Sequence, residues 1–214
     1  MLADITTIRN FVAGANCPFH CMVIDPPWEN ASARRSGHYA TLPSRYLLSI
    51  PMKRLVDQEE GLVVLWMTNR SRLWRFMETE LLPAWGLRLC ATWLWLKVTS
   101  TDHRPVTPLD ASHRRPYEVM LLLVPQGRQV PAHLQPPDKF VVASTPGEHS
   151  RKPHLSTLLA PYLPAQPKCA ELFARQLWPG WTSWGNDVLH FQRMKYFTLP
   201  PEDPDAAQTT EAST

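Results

Sequence analysis

Six short apolar runs separated by polar or proline-rich connections constrain this chain most. They fall at residues 21–25 (CMVID), 61–68 (GLVVLWMT), 87–98 (LRLCATWLWLKV), 117–124 (YEVMLLLV), 139–144 (KFVVAS) and 169–173 (CAELF). Runs of this length, rich in Val, Leu, Ile and Trp, read as buried strands. After the second run, SRLWRFMETELL (71–82) has helical spacing: Leu73, Phe76, Met77 and Leu81 share one face, and Ser71 is placed to cap it. HLSTLLAPYL (154–163) reads as a helix starting just after Pro153. Apolar strands alternating with helices predict an α/β fold: a mostly parallel sheet with helices on both faces. Ligands of such sheets bind beyond the carboxyl ends of the strands.

The chain has 214 residues, 44% of them hydrophobic, which is enough for one sizeable core. One domain is expected over residues 1–199. The segment 200–214 carries four acids, no basic residue and no apolar pattern, so it is expected to be a disordered acidic tail. The loops at 99–116 and 125–138 are Pro-, Arg- and His-rich and longer than connectors need to be, as functional loops often are. A net charge of +3 and a pI near 8.7 suit an anionic partner without requiring one. Of the four cysteines, only Cys17 and Cys21 are close, with His20 between them; no second ligand pair stands at zinc spacing, so no metal is expected. No signal peptide is expected, and no apolar run reaches the roughly 18 residues of a membrane span. The expectation is a soluble intracellular protein.

The first run ends on an acid: MVIDPPW. Asp25 offers two acceptor oxygens at a strand end. Pro26 and Pro27 fix φ and donate no N–H, and Pro26 biases Asp25 toward extended geometry. Trp28 adds a flat wall. Such a corner suits a planar ring bearing an NH2 group, with the amine held by the Asp carboxylate and a Pro carbonyl. Two acceptors on its hydrogens favour a more pyramidal nitrogen whose lone pair faces an electrophile. Proximity of this kind accounts for about 7–11 kcal/mol of barrier in well-aligned cases. The alternative is structural: Pro-Pro after a strand also starts a rigid loop, and an Asp there also caps a turn.

The motif has company. DPPW followed by ENASARRSGHYATLP, then LWMTNR, ELLPAWG, WLWLKV, RRPYE, HSRKP, ELFAR and GWTSWGN, in that order, resembles the eukaryotic adenine-N6 methyltransferases over residues 20–198. Within them the pattern is most similar to the methyltransferase-like protein four branch. The resemblance implies a permuted Rossmann-like methyltransferase fold, S-adenosylmethionine as methyl donor, and adenine N6 in a nucleic acid as target. It implies Asp25, Pro26, Pro27 and Trp28 as the catalytic motif, with Asp25 facing both amine and donor. Glu171, Arg175, Asn186 and Asp187 would hold the donor, Lys152 would touch the donor's carboxylate or the target base, and Asp4 and Ile5 would contact the donor's adenine. Asn30 and Tyr39 fall on the substrate side, where Tyr39 matches an aromatic lining the target-base pocket.

Chemistry supports part of this assignment. A ribose diol needs an acceptor such as Glu171, and a sulfonium favours Asp25 and aromatic faces such as Trp28, Trp66 or Trp95. Glu118 is either a pocket acceptor or a partner of Arg114 or Arg115. Arg34, Arg35, Arg70, Arg114, Arg115, Arg151 and Lys152 flank the motifs and form a basic rim suited to phosphates. The expected function is N6-adenine methylation of RNA, with small nuclear RNA and 2′-O-methyladenosine as the branch's substrate and a nuclear location. DNA methylation and a non-catalytic nucleic-acid-binding subunit are the alternatives. Relatives in the branch carry a longer N-terminal region, so help in substrate binding from such a region or from a protein partner is expected.

Overall fold

The computed structural model describes residues 7–14, 18–29, 42–111, 115–147 and 151–197. Among the described residues seven strands form one sheet: β1 (Cys21–Ile24), β2 (Leu62–Met67), β3 (Leu87–Lys97), β4 (Tyr117–Pro125), β5 (Phe140–Ser144), β6 (Cys169–Leu172) and β7 (Trp181–Trp184). Their order across the sheet is β5-β3-β4-β2-β1-β6-β7. Four of the six pairings are parallel; β4 runs against both of its neighbours. The mostly parallel α/β sheet expected from the sequence is therefore present. β7 is an addition: its Trp-Thr-Ser-Trp has no continuous apolar run.

Alternation along the strands divides the interior in two. Met22 and Ile24 of β1, Val63, Leu65 and Met67 of β2, and Leu121 and Leu123 of β4 face one core. Cys21, Val23, Leu62, Val64, Trp66, Met120 and Leu122 face the other, with Trp93 and Trp95 of β3. The central strands β1 and β2 are buried along their whole length, as doubly covered parallel strands must be.

The first core is covered by Ile8–Gly14, by the turns around Ser44–Leu55, and by a helix that runs from Ser71 to Trp85. That last helix outlasts its expected end by three residues and changes pitch on the way. Pro83 has no N–H to donate, and just before it the helix widens into a π turn over Met77–Leu81. Gly86 then stops it at φ 67°, a left-handed conformation that costs glycine nothing. Ser71 is the first helical residue rather than the cap: Arg70 holds the N-cap position, and no side chain caps it. The second core is covered by the shorter Ser156–Leu159 and a 3-10 turn, Ala160–Tyr162. Pro161 ends that helix early, in place of the continuous helix expected over 154–163.

The consequence for function is geometric. The carboxyl ends of β1, β2, β3, β5, β6 and β7 share one edge, and β4 brings its amino end to the same edge. Asp25, Lys97, Glu118 and Glu171 therefore meet there although they are far apart in sequence.

Candidate active site

Asp25 is the first residue after β1, and its side chain points to the same face as Val23 and Glu171, into a cleft of about 550 Å³ that opens to solvent. The cleft is lined by Asp25, Trp66, Lys152, His154, Glu171 and Arg175 among others. The Lys152 ammonium lies 3.1 Å from Asp25 Oδ2 and 3.0 Å from Glu118 Oε2. The other Glu118 oxygen lies 2.5 Å from Lys97 Nζ. Glu118 thus pairs with two lysines and not with Arg115. Arg114 lies outside the described residues, and Arg115 hydrogen-bonds the Tyr117 hydroxyl at 2.7 Å instead.

Indole rings floor the cluster. Lys152 sits 5.3 Å over the Trp66 ring, and Trp95 meets Trp66 edge-on at 5.9 Å between centroids. Trp95 is fully buried and donates its Nε1–H to Ser144 Oγ. Trp66 is thus cleft wall and Trp95 is core.

Burial and charge set the titrations. Burial raises the Asp25 carboxyl above the usual carboxylate range; Lys152 and Arg175 oppose that, and Glu118 reinforces it. Burial also works against the Glu118 anion, but Lys152 and Lys97 outweigh it and hold the group below its ordinary value. The Lys152 ammonium is likewise desolvated, yet Asp25 and Glu118 together raise it, so it stays charged. Glu171 is pushed up to about 7, first by burial and then by the Asp25 carboxylate.

The prolines behave differently from the expectation of free acceptors. The Trp28 N–H donates to the Pro26 carbonyl at 2.7 Å, and the Leu42 N–H donates to the Pro27 carbonyl at 3.1 Å. Each carbonyl keeps one lone pair, so Asp25 is the principal acceptor at this corner. Trp28 packs against the first core and donates its Nε1–H to the Trp66 carbonyl at 2.8 Å. It braces the loop from behind and is not part of the cleft lining.

The second wall comes from the end of β6. Phe173 has φ 62°, an unusual value for a residue with a side chain. The chain turns sharply there and carries Arg175 and Gln176 into the cleft. The turn is clamped by Gly185: a Cβ at that position would lie 2.5 Å from the Ala174 carbonyl oxygen. Arg151 donates to Gln176 Oε1 at 2.6 Å, and the Arg151 and Arg175 guanidiniums lie 4.8 and 5.4 Å from the Phe191 ring. Asn186 and Asp187 follow β7 on the exposed rim and do not line the cleft; Asp187 lies 3.5 Å from His190. Arg70 reaches back to the Glu29 carbonyl at 2.8 Å, which ties the loop after β2 to the loop after β1. Asp4, Ile5, Asn30, Arg34, Arg35 and Tyr39 lie outside the described residues, as does the 200–214 segment.

Sequence reasoning missed Lys97, His154 and the cleft residues Gln176, Trp178, Trp181 and Phe191. Lys97 ends an apolar strand, and a charge closing such a run across from Glu118 was the available signal. His154 lines the cleft edge-on to Trp178 and Trp181, and neither ring nitrogen has a hydrogen-bond partner among the described residues. Burial lowers its pKa, so it is neutral at pH 7 and presents one donor and one acceptor. Glu171, His154, the Lys152 and Arg175 cations, and the surrounding indoles fit a ligand that combines hydroxyls, a carboxylate and a cationic centre. That is the composition of S-adenosylmethionine. Among the described residues no cluster of His, Cys, Asp and Glu could hold a metal ion.

Comparison with known proteins narrows the chemistry. Residues 19–187 match the MT-A70 family. The chain is 39% identical over 211 residues to the mouse protein named N(6)-adenine-specific methyltransferase METTL4, covering 92% of this chain and 43% of that protein. It is 40% identical over 210 residues to the N6-methyladenosine RNA methyltransferase MTA1 of Pyricularia oryzae, covering 93% and 54%. It is 31% identical over 201 residues to a Caenorhabditis elegans DNA N6-methyl methyltransferase, covering 92% and 53%. The chain therefore spans about half the length of the curated relatives it matches.

Proposed function

The chain belongs to the MT-A70 family, and from that premise we propose that its cleft transfers a methyl group from S-adenosylmethionine to adenine N6 in a nucleic acid. The observation that carries this reading is the Asp25 carboxylate at the end of β1, held at 3.1 Å by Lys152 in a cleft whose other wall is Glu171 and Arg175. The donor supplies an electrophilic methyl on a sulfonium. Glu171 and His154 suit its ribose hydroxyls, and Lys152 and Arg175 suit its carboxylate.

Asp25 accepts a hydrogen bond from the exocyclic amine and turns the nitrogen lone pair toward the methyl. It also neutralises positive charge as that charge develops on the nitrogen. The nitrogen would gain the methyl as the methyl–sulfur bond breaks to leave a neutral thioether; it is then cationic and acidic and gives its proton to the Asp25 carboxylate or to water, so Asp25 need not act as a strong base. The Lys152 ammonium favours the ionised form of Asp25 and opposes the upward push of its burial. The intact DPPW motif and cleft charges favour an enzyme over a silent binding subunit.

We assign RNA rather than DNA as the substrate. An adenine must leave its stack to enter the cleft, which costs least in a single strand or loop. The relative at 40% identity is named for RNA, whereas the DNA-directed relative stands at 31%. Within RNA, a 2′-O-methylated adenosine of a small nuclear RNA is the proposed target, and the nucleus is the proposed location. Help in substrate binding from a further region or a partner protein belongs to the same proposal.

The test is parallel kinetics on three single-stranded oligonucleotides that differ only in carrying deoxyadenosine, adenosine or 2′-O-methyladenosine at one position. N6-methyladenine is measured by mass spectrometry. The expected order of kcat/KM is 2′-O-methyladenosine, adenosine, deoxyadenosine; best use of the deoxy substrate would reverse the assignment to DNA.

A further inference from the structure

We propose that Lys97 is a positioning residue: acting through Glu118, it holds the Lys152 ammonium in place against Asp25. The catalytic meaning of this rests on the proposed methyl transfer; the coupling itself does not.

The groups form an alternating chain. Lys97 Nζ lies 2.5 Å from Glu118 Oε1, Glu118 Oε2 lies 3.0 Å from Lys152 Nζ, and Lys152 Nζ lies 3.1 Å from Asp25 Oδ2. Three elements contribute: Lys97 ends β3, Glu118 opens β4, and Lys152 sits in the segment before Ser156–Leu159. The sheet register explains why they meet. Glu118 stands opposite Trp95 in the antiparallel pair, so the two share a face, and Lys97 is two residues beyond Trp95 on that face. Lys97 also lies 4.9 Å over the Trp95 ring, and the Trp95 indole is itself tied to Ser144 of β5. The Lys97 ammonium is therefore held by two groups of the sheet, the Glu118 carboxylate and the Trp95 ring, and about a fifth of the side chain is exposed.

Charge balance shows what Lys97 does. Asp25 faces both Glu118 and Glu171, and Lys97, Lys152 and Arg175 supply the opposing cations. Lys97 is not among the residues that line the cleft. It occupies one Glu118 oxygen and leaves the other for Lys152. Without Lys97, Glu118 and Asp25 compete for one ammonium, and in a partly buried cluster an uncompensated charge is costly. Lys152 then moves toward Glu118, and Asp25 loses both its orientation and the cation that favours its charged form. A displacement of about 1 Å in such a group is enough to cost up to about 100-fold in rate.

The test uses 15N-lysine-labelled protein with Lys97→Met, Lys97→Arg and, to assign the signal, Lys152→Arg. The expected result is a slowly exchanging Lys152 ammonium resonance in the wild type and in Lys97→Arg, broadened or lost in Lys97→Met. In the same proteins kcat on a single-stranded adenosine substrate falls at least tenfold in Lys97→Met and is largely restored in Lys97→Arg. An unchanged Lys152 resonance in a folded Lys97→Met overturns the inference whatever the activity. A changed resonance with unchanged kcat also overturns it, because the coupling then has no catalytic effect. A wild type that transfers no methyl to any adenine substrate, yet shows the coupled resonance, overturns the proposed reaction and leaves the Lys97–Glu118–Lys152 linkage standing.

Discussion

Glu171 should make donor binding release protons. Its carboxyl titrates at about 7 because it is buried beside Asp25. At pH 7 about half of the molecules therefore carry it protonated; at pH 6 the fraction is about nine in ten, and at pH 8 about one in ten. A ligand whose hydroxyls donate to the carboxylate favours the ionised form. Donor binding should then expel about 0.5 proton at pH 7 and close to 0.1 at pH 8. The assay is calorimetry of S-adenosylmethionine binding in phosphate and in Tris, whose ionisation enthalpies differ. Glu171→Gln should remove the buffer dependence and weaken binding.

The same shift has a stability sign. The folded-state pKa is raised, so the ionised carboxylate is disfavoured in the native state. The stability held at pH 6 is partly lost as pH rises through 7, by about 1 kcal/mol between pH 6 and pH 8. Urea midpoints of the ligand-free protein should fall accordingly, and Glu171→Gln should flatten the trend. Binding with no buffer dependence, or an equal dependence in Glu171→Gln, would refute the placement of Glu171 against the donor.

Two further substitutions probe the supports of the site. Gly185→Ala places a Cβ 2.5 Å from the Ala174 carbonyl oxygen and 2.8 Å from its amide nitrogen, where backbone cannot yield. About 1–3 kcal/mol of stability should be lost, with weaker donor binding because the same turn carries Arg175; urea unfolding and calorimetry read both. Trp28→Phe removes the 2.8 Å hydrogen bond to the Trp66 carbonyl and leaves that acceptor unpaired. A loss of about 1–3 kcal/mol in urea unfolding is expected, with donor affinity retained, since Trp28 stands outside the cleft.

The sheet was legible because its central strands are apolar on both faces, a pattern that composition alone reveals at residues 21–24, 62–67 and 119–124. The edges were not. β7 is half exposed and carries Thr182 and Ser183, so nothing in its periodicity separates it from a loop. Asp25 was legible because an acid that ends a buried strand must either pair or face a ligand. The partner of Glu118 was not, because it depends on β4 running antiparallel, and strand direction leaves no mark on a single run. Lys152 was found through the HSRKP segment, whereas Lys97 looked like the ordinary charged end of a strand. His154 and Trp178 become site residues only once the turn at Phe173 folds back toward β1, a left-handed step that no residue type announces. The Pro27 carbonyl is occupied for a similar reason, by the Leu42 amide from a later segment, whereas the Pro26 carbonyl is taken locally by the Trp28 amide.

The central claim is that Asp25 orients and neutralises the reacting amine. The most direct measurement is single-turnover methyl transfer by Asp25→Asn, at saturating S-adenosylmethionine and single-stranded RNA, with N6-methyladenine counted by mass spectrometry. The substitution keeps the size of the side chain but removes its charge and one acceptor oxygen. A preorganised group of this kind contributes about 100- to 1,000-fold, so the rate should fall by that much while circular dichroism stays unchanged. A folded Asp25→Asn that turns over within tenfold of the wild type would contradict the account.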